Sequence, residues 1–346
     1  MSILYPFPHF HTPPPGTVTH LPVTRNGIRN LSPAPFVRRG GPSFPVVQIG
    51  TTAGSSWGIG GLLPATAFSD GSVRPHEDTL SPRLARQREL VLRDGGALGK
   101  PVLLTVPTLA PLRQTLQQVA APLLRYHTAD LTYCLHAACG QIAPLPLAAL
   151  GTPVIADGHH RAYTHAALAA DGVAGFDMIP VVLMGGDTLH IDTFMRVIQT
   201  TKPPAQLLTE LSAYFHIQPT AQSSPVQATG QWLYSYRKQH YHLSRKASRG
   251  DTTTDAGWLS HTVLPTVFGI SDLRLDDRID SVPPPPLVNG HVQLPPRSDH
   301  EAILLGKPII TERFFAEVDA GRLLPPKSTY FSPRLPSGLL VWIPGD

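Results

Sequence analysis

Five consecutive residues, Asp157-Gly158-His159-His160-Arg161, stand between a short apolar run and the alanine-rich, helix-like segment "RAYTHAALAADG". The N–H groups in the first turn of a helix lack partners within the helix and attract anions, and glycine lets the backbone approach a ligand closely. The arginine can hold a phosphate with two parallel hydrogen bonds. The aspartate can hold Mg²⁺, or a hydroxyl or ammonium group of a substrate. Gly158, His159, His160 and Arg161 are therefore predicted to bind phosphate, with Asp157 as an acid beside them.

Two other interpretations of this stretch stay open. In the first, Asp157 caps the helix N-terminus and the two histidines are ordinary surface residues. The residues alone do not decide between this interpretation and a phosphate site. In the second, the histidines bind zinc, but neighbouring residues on a helix point about 100° apart and the H-E-x-x-H spacing is absent. Zinc is therefore the weakest of the three hypotheses.

The segment "GSVRPHEDTLSPR", residues 71–83, is the second place where chemistry is expected. It contains His76, Glu77 and Thr79 directly before a predicted helix. A glutamate in such a loop can act as a general base when the fold brings it close to a substrate hydroxyl. The competing interpretation is a helix-capping segment, with Thr79 or Ser81 as the N-cap residue. On the segment alone, capping is favoured.

Hydrophobic periodicity places both motifs within an α/β arrangement. The predicted strands cover residues 44–50, 100–106, 152–157 and 177–184, and a predicted hairpin covers residues 231–247. The predicted helices cover residues 81–95, 110–127, 161–172, 203–217, 259–270 and 311–321. The strand–helix–strand order around Asp157 predicts a mixed α/β (α+β) fold, in which Asp157 ends a strand and Arg161 lies at the entry to a helix.

Composition bears on the class of protein. Hydrophobic residues make up 42% of the 346 residues, so a sizeable core is expected. The net charge of +4 is mild and does not indicate a nucleic-acid protein. The hairpin over 231–247 is basic and aromatic, which could suit nucleic acid, but a solvated hairpin is favoured. The sequence shows no secretory signal and no apolar run of about 18 residues, which predicts a cytoplasmic protein with no membrane contact.

The two cysteines of the chain are Cys134 and Cys139, with His136 between them. Their C-x4-C spacing is a weak indication of a metal site. Two buried free thiols are the favoured interpretation, since two cysteines are too few for a disulfide framework.

Three widely separated motifs, taken together, resemble a known group of proteins. They are "PHEDT" followed by "KPVLLT", then "IADGHHR" with "IPVVLM", and finally "KSTYFSPRL" near the C-terminus. The pattern resembles a bacterial family of unknown function that is related to the free serine kinases of the ParB/sulfiredoxin-like fold. Each motif alone is short, so the resemblance is carried by their order over most of the chain.

The chain departs from the family pattern in two places. In residues 1–65, only "YPF" and "TPPPG" remain of the pattern with which the sequences of the family usually begin. After the "VVLM" strand, Met195 stands where the family often has a histidine, whereas Arg196 is retained. The roles of the first segment and of this strand are therefore not given by the resemblance.

The resemblance implies a role for each matching residue. Glu77 is the general base that takes the proton from the attacking hydroxyl, and Asp157 is the second catalytic residue, which orients the substrate or Mg²⁺. The four residues that follow Asp157 hold the nucleotide phosphates together with the helix N-terminus. The implied substrate-binding residues are His76, Thr79, Lys327, Ser328 and Thr329.

The implied activity is transfer of a phosphoryl group from ATP or ADP to the hydroxyl of a free amino acid such as serine, with Mg²⁺ as the cofactor. Phosphoryl transfer depends mainly on positioning and charge neutralisation, and the sequence has no Walker or protein-kinase motif. The alternative is a non-catalytic ParB-like nucleotide sensor, which needs the phosphate-binding turn but not Glu77. A nuclease is the third hypothesis.

The resemblance also suggests how the chain is organised. A Pro/Gly-rich segment, residues 1–65, is followed by a ParB/sulfiredoxin-like nucleotide-binding core over 66–200 and by an α+β part over 201–346 that completes the substrate site. The expected partners are a nucleotide and a small hydroxylated substrate, with neither nucleic acid nor membrane. The identity of the acceptor, the choice between ATP and ADP, and the oligomeric state stay open.

Overall fold

The computed structural model of the chain describes residues 2–22, 36–51, 54–77, 81–93, 96–137, 143–221, 223–246 and 253–343. The chain forms two compact units, one of Met1–His190 with Pro333–Asp346 and the other of Ile191–Ser332. Both units combine strands and helices, so the predicted mixed α/β (α+β) fold is confirmed. The division into three segments stays a prediction.

The first unit is built on a mixed sheet. Its strands are β1 (Ile3–Leu4), β2 (Phe7–Thr12), β3 (Gly16–Val18), β4 (Val37–Ser43), β5 (Val46–Thr51), β6 (Gly54–Pro64), β7 (Val102–Val106), β8 (Leu124–His127), β9 (Thr132–His136), β10 (Leu145–Pro146), β11 (Val154–Asp157) and β12 (Met178–Gly185). Its helices are α1 (Ser81–Arg93), α2 (Arg113–Gln117) and α3 (His159–Ala170), with 3₁₀ turns at Ala65–Phe68, Ala110–Leu112 and Ala148–Leu150. Among the described residues, eight strands pair in the order β11-β7-β12-β6-β5-β9-β8-β3. The pairs β12–β7 and β3–β8 are parallel, and the other pairs are antiparallel.

The strand that ends at Asp157, β11, lies at one end of this sheet order and pairs with the buried strand β7. All five residues of β7, "VLLTV", are buried, as are nearly all residues of β12. Such continuous apolar runs are typical of strands covered on both faces. Helix α3 joins this core through Ala162, and Leu168 on the same helix packs with Val91 of α1. The end of β11 and the start of α3 are therefore held by the core of the unit.

Close backbone packing in β6 leads to a stability prediction. A Cβ added at Gly61 would lie 2.6 Å from Leu4 Cγ and 2.8 Å from the carbonyl oxygen of Tyr5, which cannot easily move. Gly61→Ala is expected to lower the free energy of unfolding of the first unit by about 1–3 kcal/mol, the usual cost of overpacking a core. Urea unfolding measures this effect. Gly50→Ala is the control, because its Cβ would meet Thr132 at an ordinary 3.7 Å; an equal loss in both variants would contradict the packing argument.

The C-terminal segment belongs to the first unit. The backbone of Val341 pairs with that of His11, and the backbone of Trp342 pairs with that of Leu98. The hydroxyl of Tyr133 donates a hydrogen bond to the carbonyl oxygen of Arg334, with an O–O distance of 3.1 Å. The first unit is thus completed by residues that follow the whole second unit in the sequence.

The second unit contains an antiparallel sheet covered on one face by helices. Its strands are β13 (His190–Asp192), β14 (Met195–Gln199), β15 (Phe215–Thr220), β16 (Gln231–Tyr236), β17 (Gln239–Arg245), β18 (Ile279–Val282), β19 (Leu287–Val288), β20 (His291–Val292), β21 (Glu301–Gly306) and β22 (Tyr330–Ser332). Its helices are α4 (Pro204–Ser212), α5 (Asp255–Trp258), a π-helix (Leu259–Phe268) and α6 (Thr311–Asp319). In the described part of the unit, the six-stranded sheet has the order β15-β17-β16-β21-β14-β18. Leu211 of α4 and Val263 of the π-helix pack with Ile198 and Trp232 in the same core.

Most of the predicted elements are confirmed, but two of the predicted helices extend further than the helices in the structure. The structure has α1, α3 and α6, the strands β5, β7, β11 and β12, the hairpin β16–β17 and a helix over 259–268 where the sequence predicts them. The predicted helix over 110–127 ends at Gln117, and β8 takes its last part, because Pro122 has no N–H to continue a helix and β8 gains partners in β3 and β9. The predicted helix over 203–217 ends at Ser212, because Phe215 starts a strand that pairs with β17.

Two other expectations can be compared with the structure only in part. Cys134 is buried and forms no disulfide, whereas Cys139 lies outside the described residues. No helix in the described part of the chain is both long enough and apolar enough to cross a membrane.

Candidate functional site

A single left-handed glycine joins β11 to α3. Asp157 is the last residue of β11, Gly158 has φ +105°, and α3 starts at His159. This backbone conformation costs glycine little and strains other residues. A Cβ added at Gly158 would also lie 2.6 Å from Nη2 of Arg161, which folds back across the turn. The predicted positions of Asp157 at a strand end and of residues 158–161 at a helix entry are confirmed.

The carboxylate of Asp157 lies among three cationic side chains. Its Oδ2 is 2.9 Å from Lys100 Nζ and 2.9 Å from Arg161 Nη2, and its Oδ1 is 3.5 Å from Arg334 Nη1. Each of these side chains is less than a third exposed. No described side chain caps the N-terminus of α3, so Asp157 is not the helix cap that the competing interpretation proposed. Three cationic side chains outnumber the two carboxylates, Asp157 and Glu77, near the start of α3, and this positive excess favours a bound anion.

These ion pairs fix the charge state of the cluster. Burial alone would raise the pKa of Asp157, but Arg161, Lys100 and Arg334 together hold the pKa well below its ordinary value. Burial lowers the pKa of Lys100 and that of Arg161, and the attraction of Asp157 opposes both shifts. The aspartate therefore stays ionised and holds the cations in place.

The loop with Glu77 is fastened to β11 by backbone and side-chain hydrogen bonds. Arg74 forms a parallel bridge with Val154, in which the N–H of Ile155 donates to the carbonyl oxygen of Arg74 at 2.9 Å. Nδ1 of His76 donates to the carbonyl oxygen of Ile155 at 2.6 Å, and the His76 ring is buried. These contacts carry the loop along β11 toward the start of α3.

His159 connects the two sequence motifs. Its Nδ1 lies 3.9 Å from Oε1 of Glu77, and its ring packs edge-on against His76 with ring centroids 4.7 Å apart. Glu77 and His159 are both largely buried, and His160 is half-buried. Glu77 thus lies close to the helix start, although some 80 residues of sequence separate them. The catalytic and phosphate-binding roles of these residues stay predictions.

The remaining predicted site residues are Thr79 and three residues of the second unit. Thr79 is outside the described residues. Lys327, Ser328 and Thr329 belong to the second unit, where Ser328 and Thr329 line a cavity and Nζ of Lys327 lies 5.5 Å from the centroid of the Phe194 ring. The substrate-binding roles of these residues and of His76 stay predictions.

Two residues of the charge cluster, Lys100 and Arg334, were not predicted as site residues. Both are polar residues within the motifs that carry the family resemblance, "KPVLLT" and "KSTYFSPRL". Burying a charged side chain is costly unless an opposite charge pairs with it. A lysine directly before a buried strand therefore indicates an ion pair, and this signal could have identified Lys100.

The side chains around Asp157 do not fit a magnesium site. Mg²⁺ binds oxygen ligands in a near-octahedral arrangement, whereas both oxygens of Asp157 face cations. Among the described residues, no group of three or more histidine, cysteine, aspartate or glutamate side chains could hold a metal ion. No step of the chemistry is therefore assigned to a metal bound at Asp157.

His165, one turn after Arg161 on α3, is expected to make the stability of the first unit depend on pH. Its ring is 1% exposed, packs against Phe176, and has an Nε2 with no hydrogen-bond partner among the described residues. Burial, with a smaller contribution from the charge of Arg161, lowers the pKa of His165 to about 4. In the unfolded chain the value returns to about 6.5, so between the two values the unfolded state binds the extra proton.

Stability is therefore expected to fall as the pH is lowered from about 6.5 to about 4, by up to about 3 kcal/mol from this residue. Urea unfolding across this range measures the effect. His165→Leu should flatten the profile, because the buried proton-binding site is gone, and the exposed His20→Leu should keep the wild-type slope. An unchanged slope in His165→Leu would show that another group is responsible.

The family of the chain follows from its sequence. The family model described as "Protein of unknown function (DUF1015)" matches residues 29–266, which is more than half of the 346 residues. The chain belongs to the DUF1015 family. The match includes Glu77 and residues 157–161, whereas Arg334 lies beyond it. Among curated proteins, none matches this DUF1015 sequence significantly.

Several solved structures are distantly similar to this DUF1015 protein. SbnI with a C-terminal truncation, from Staphylococcus aureus, aligns with a TM-score of 0.47 and 15% identity over 82% of this chain and 87% of that chain. A mutant of a free serine kinase in complex with AMP aligns with a TM-score of 0.42 and 13% identity over 80% of this chain and 91% of that chain. A conserved hypothetical protein from Pyrococcus furiosus aligns with a TM-score of 0.39 and 14% identity over 80% and 92%. These likenesses are too distant to transfer a function.

Proposed function

We propose that this DUF1015 protein is a small-molecule kinase that transfers a phosphoryl group from ATP or ADP to the hydroxyl of a free amino acid such as serine. One observation carries the proposal. A glutamate and a cluster with excess positive charge meet at the uncapped start of one helix, with Glu77 3.9 Å from His159 and Asp157 paired with three cations. The donor and the amino-acid acceptor come from the sequence resemblance to free serine kinases and not from this geometry.

The proposed chemistry assigns one task to each group. The acceptor oxygen attacks the terminal phosphorus of the nucleotide, its proton moves to a carboxylate oxygen of Glu77, and the bond from phosphorus to the leaving phosphate oxygen breaks. The excess charge of Lys100, Arg161 and Arg334 and the N–H groups at the start of α3 offset the negative charge of the phosphates. The carboxylate of Asp157 keeps the cations in position, which is a different role from the direct orientation of substrate or metal that the resemblance implies.

A specific observation favours the second candidate, a nucleotide sensor of ParB-like type. Glu77 is largely buried and lies within ion-pair distance of His159, so its carboxylate could serve to hold the helix start in place. A sensor needs the positive cluster and the helix N-terminus but no proton acceptor. The two candidates therefore agree on nucleotide binding and differ in turnover.

The experiment that tests the proposal uses the purified full chain with Mg²⁺ and either ATP or ADP. Serine, threonine and homoserine are the acceptors, and alanine is the control because it lacks the hydroxyl. Mass spectrometry is expected to find a phosphorylated product from at least one hydroxylated amino acid and none from alanine. Nucleotide binding without any product would support the sensor, and the absence of both binding and product would contradict both candidates.

A further inference from the structure

The second unit contains a cavity with a volume of about 410 Å³, which is within the usual range for small-molecule sites. One side of it is apolar and is formed by Phe194, Leu259, Leu304 and Leu324. Leu259 begins the π-helix, and wide helical turns of this kind occur often at functional sites. The cavity therefore has the size and the apolar wall of a ligand site.

Three hydrogen-bond donors of the cavity lining have no partner in the part of the chain that the structure describes. Ser260 is 7% exposed and Trp232 is 2% exposed, and neither the hydroxyl of Ser260 nor the indole N–H of Trp232 makes a hydrogen bond with any described residue. The half-buried ammonium of Lys307 makes no ion pair within the described part of the chain. An indole and an ammonium can only donate, so the missing partner has to supply acceptor atoms.

The other charged side chains of the lining have partners. Arg196 is 5% exposed and donates to the Ser281 hydroxyl and to the Pro326 carbonyl oxygen. Arg313 pairs with Glu317 at 2.6 Å. Asp255 accepts a hydrogen bond from the N–H of Gly230 at 2.7 Å, and the positive charge of Arg245 offsets the negative charge of Asp255. Lys307 is thus the cation of the lining that is left to attract an anion.

We propose that this cavity is a binding site for a small amphipathic carboxylate. The carboxylate group accepts hydrogen bonds from the ammonium of Lys307, the hydroxyl of Ser260 and the indole N–H of Trp232. The apolar body of the ligand lies against Phe194 and Leu304. The proposal does not rest on phosphoryl transfer, because it needs neither a nucleotide nor Glu77.

Isothermal titration calorimetry with three probes tests the proposal on the full chain. Phenylbutyrate carries the carboxylate and the apolar body, phenylbutanol has a similar body without the charge, and inorganic phosphate has charge without the body. Phenylbutyrate is expected to bind at one site per chain, at least about tenfold more tightly than either other probe, since charge-assisted hydrogen bonds and apolar burial both contribute. No saturable binding of phenylbutyrate, or equal binding of the alcohol or of phosphate, would overturn the proposal.

Three variants locate the binding. Ser260→Trp fills the cavity and is expected to abolish phenylbutyrate binding, whereas His261→Trp places the same ring on the exposed side of the same helix and should leave binding intact. Lys307→Gln removes the charge but keeps a polar side chain that can donate a hydrogen bond, and it should weaken phenylbutyrate binding about tenfold, with phenylbutanol binding unchanged. Lys307 has no ion pair with any described residue to lose, so this variant is informative even if Ser260→Trp fails to fold. Wild-type affinity in Lys307→Gln would place the ligand elsewhere and refute the assignment.

Discussion

Replacement of Glu77 by glutamine is expected to reduce turnover by about 10²–10⁴-fold, the usual contribution of a general base, with little change in nucleotide affinity. Glutamine has nearly the same shape as glutamate, so the contact with His159 and the start of α3 should persist, but an amide does not accept the proton of the acceptor hydroxyl. Turnover is measured from the amount of phosphorylated product, and nucleotide affinity is measured by calorimetry. The kinase proposal predicts that turnover falls and that nucleotide affinity stays the same.

Glu89→Gln is the matched control, because Glu89 lies exposed on α1 and undergoes the same chemical change. It should retain wild-type turnover and affinity. If Glu77→Gln turns over at the wild-type rate, Glu77 is not the base, and its contact with His159 becomes its main role. If the variant loses nucleotide affinity as well, the glutamate supports the shape of the phosphate-binding turn, as the sensor candidate requires.

Asp157→Asn is expected to lower the free energy of unfolding of the first unit by about 3–5 kcal/mol, the cost of leaving buried charges without their partner. Lys100, Arg161 and Arg334 all pair with the carboxylate of Asp157, and each side chain in the cluster is less than a third exposed. Without the carboxylate, the three cations repel one another in a poorly solvated place. Urea unfolding at neutral pH measures the loss.

Asp187→Asn is the control for this prediction. Asp187 also contacts an arginine, Arg113 at 3.5 Å, but both side chains are at least a third exposed. An exposed pair of this kind contributes about 0–1 kcal/mol, so the control should unfold almost as the wild type does. Sulfate should restore part of the stability of Asp157→Asn, because an anion can take the place of the lost carboxylate. Equal stability of the two variants would show that the charge cluster does not hold the first unit together.

The local part of the candidate site could be predicted from the sequence. An apolar run, a glycine and an alanine-rich segment are sufficient to place Asp157 at a strand end and Arg161 in the first turn of a helix, because these signals act over a few residues. The partners of the aspartate could not be predicted in the same way. Lys100 and Arg334 reach Asp157 only through the pairing of the strands and the return of the C-terminal segment, and periodicity carries no information about either.

The same limit explains the helix that was predicted too long. The segment "LRQTLQQVAAPLLRYH" has apolar residues at helical spacing, and its intrinsic preference favours a helix as far as Pro122. Residues 124–127 nevertheless form β8, since β3 and β9 on either side supply hydrogen bonds that a short helix after a proline would lack. Tertiary pairing here overrides local preference, and the sequence of the segment does not contain its partners.

The interrupted sequence of the first unit affects the order in which the protein can fold during synthesis. A ribosome makes residues 191–332 before Arg334, Val341 and Trp342, so the second unit is complete while the first unit still lacks its last pieces. Until they arrive, His11 and Leu98 have no backbone partner in the C-terminal segment and Asp157 has two of its three cations. Nascent chains usually fold from the N-terminal domain onward; in this protein, residues that are translated after the second unit complete the unit that was begun first. A premature stop codon after residue 332 would therefore spare the second unit and leave the proposed phosphate-binding cluster unfinished.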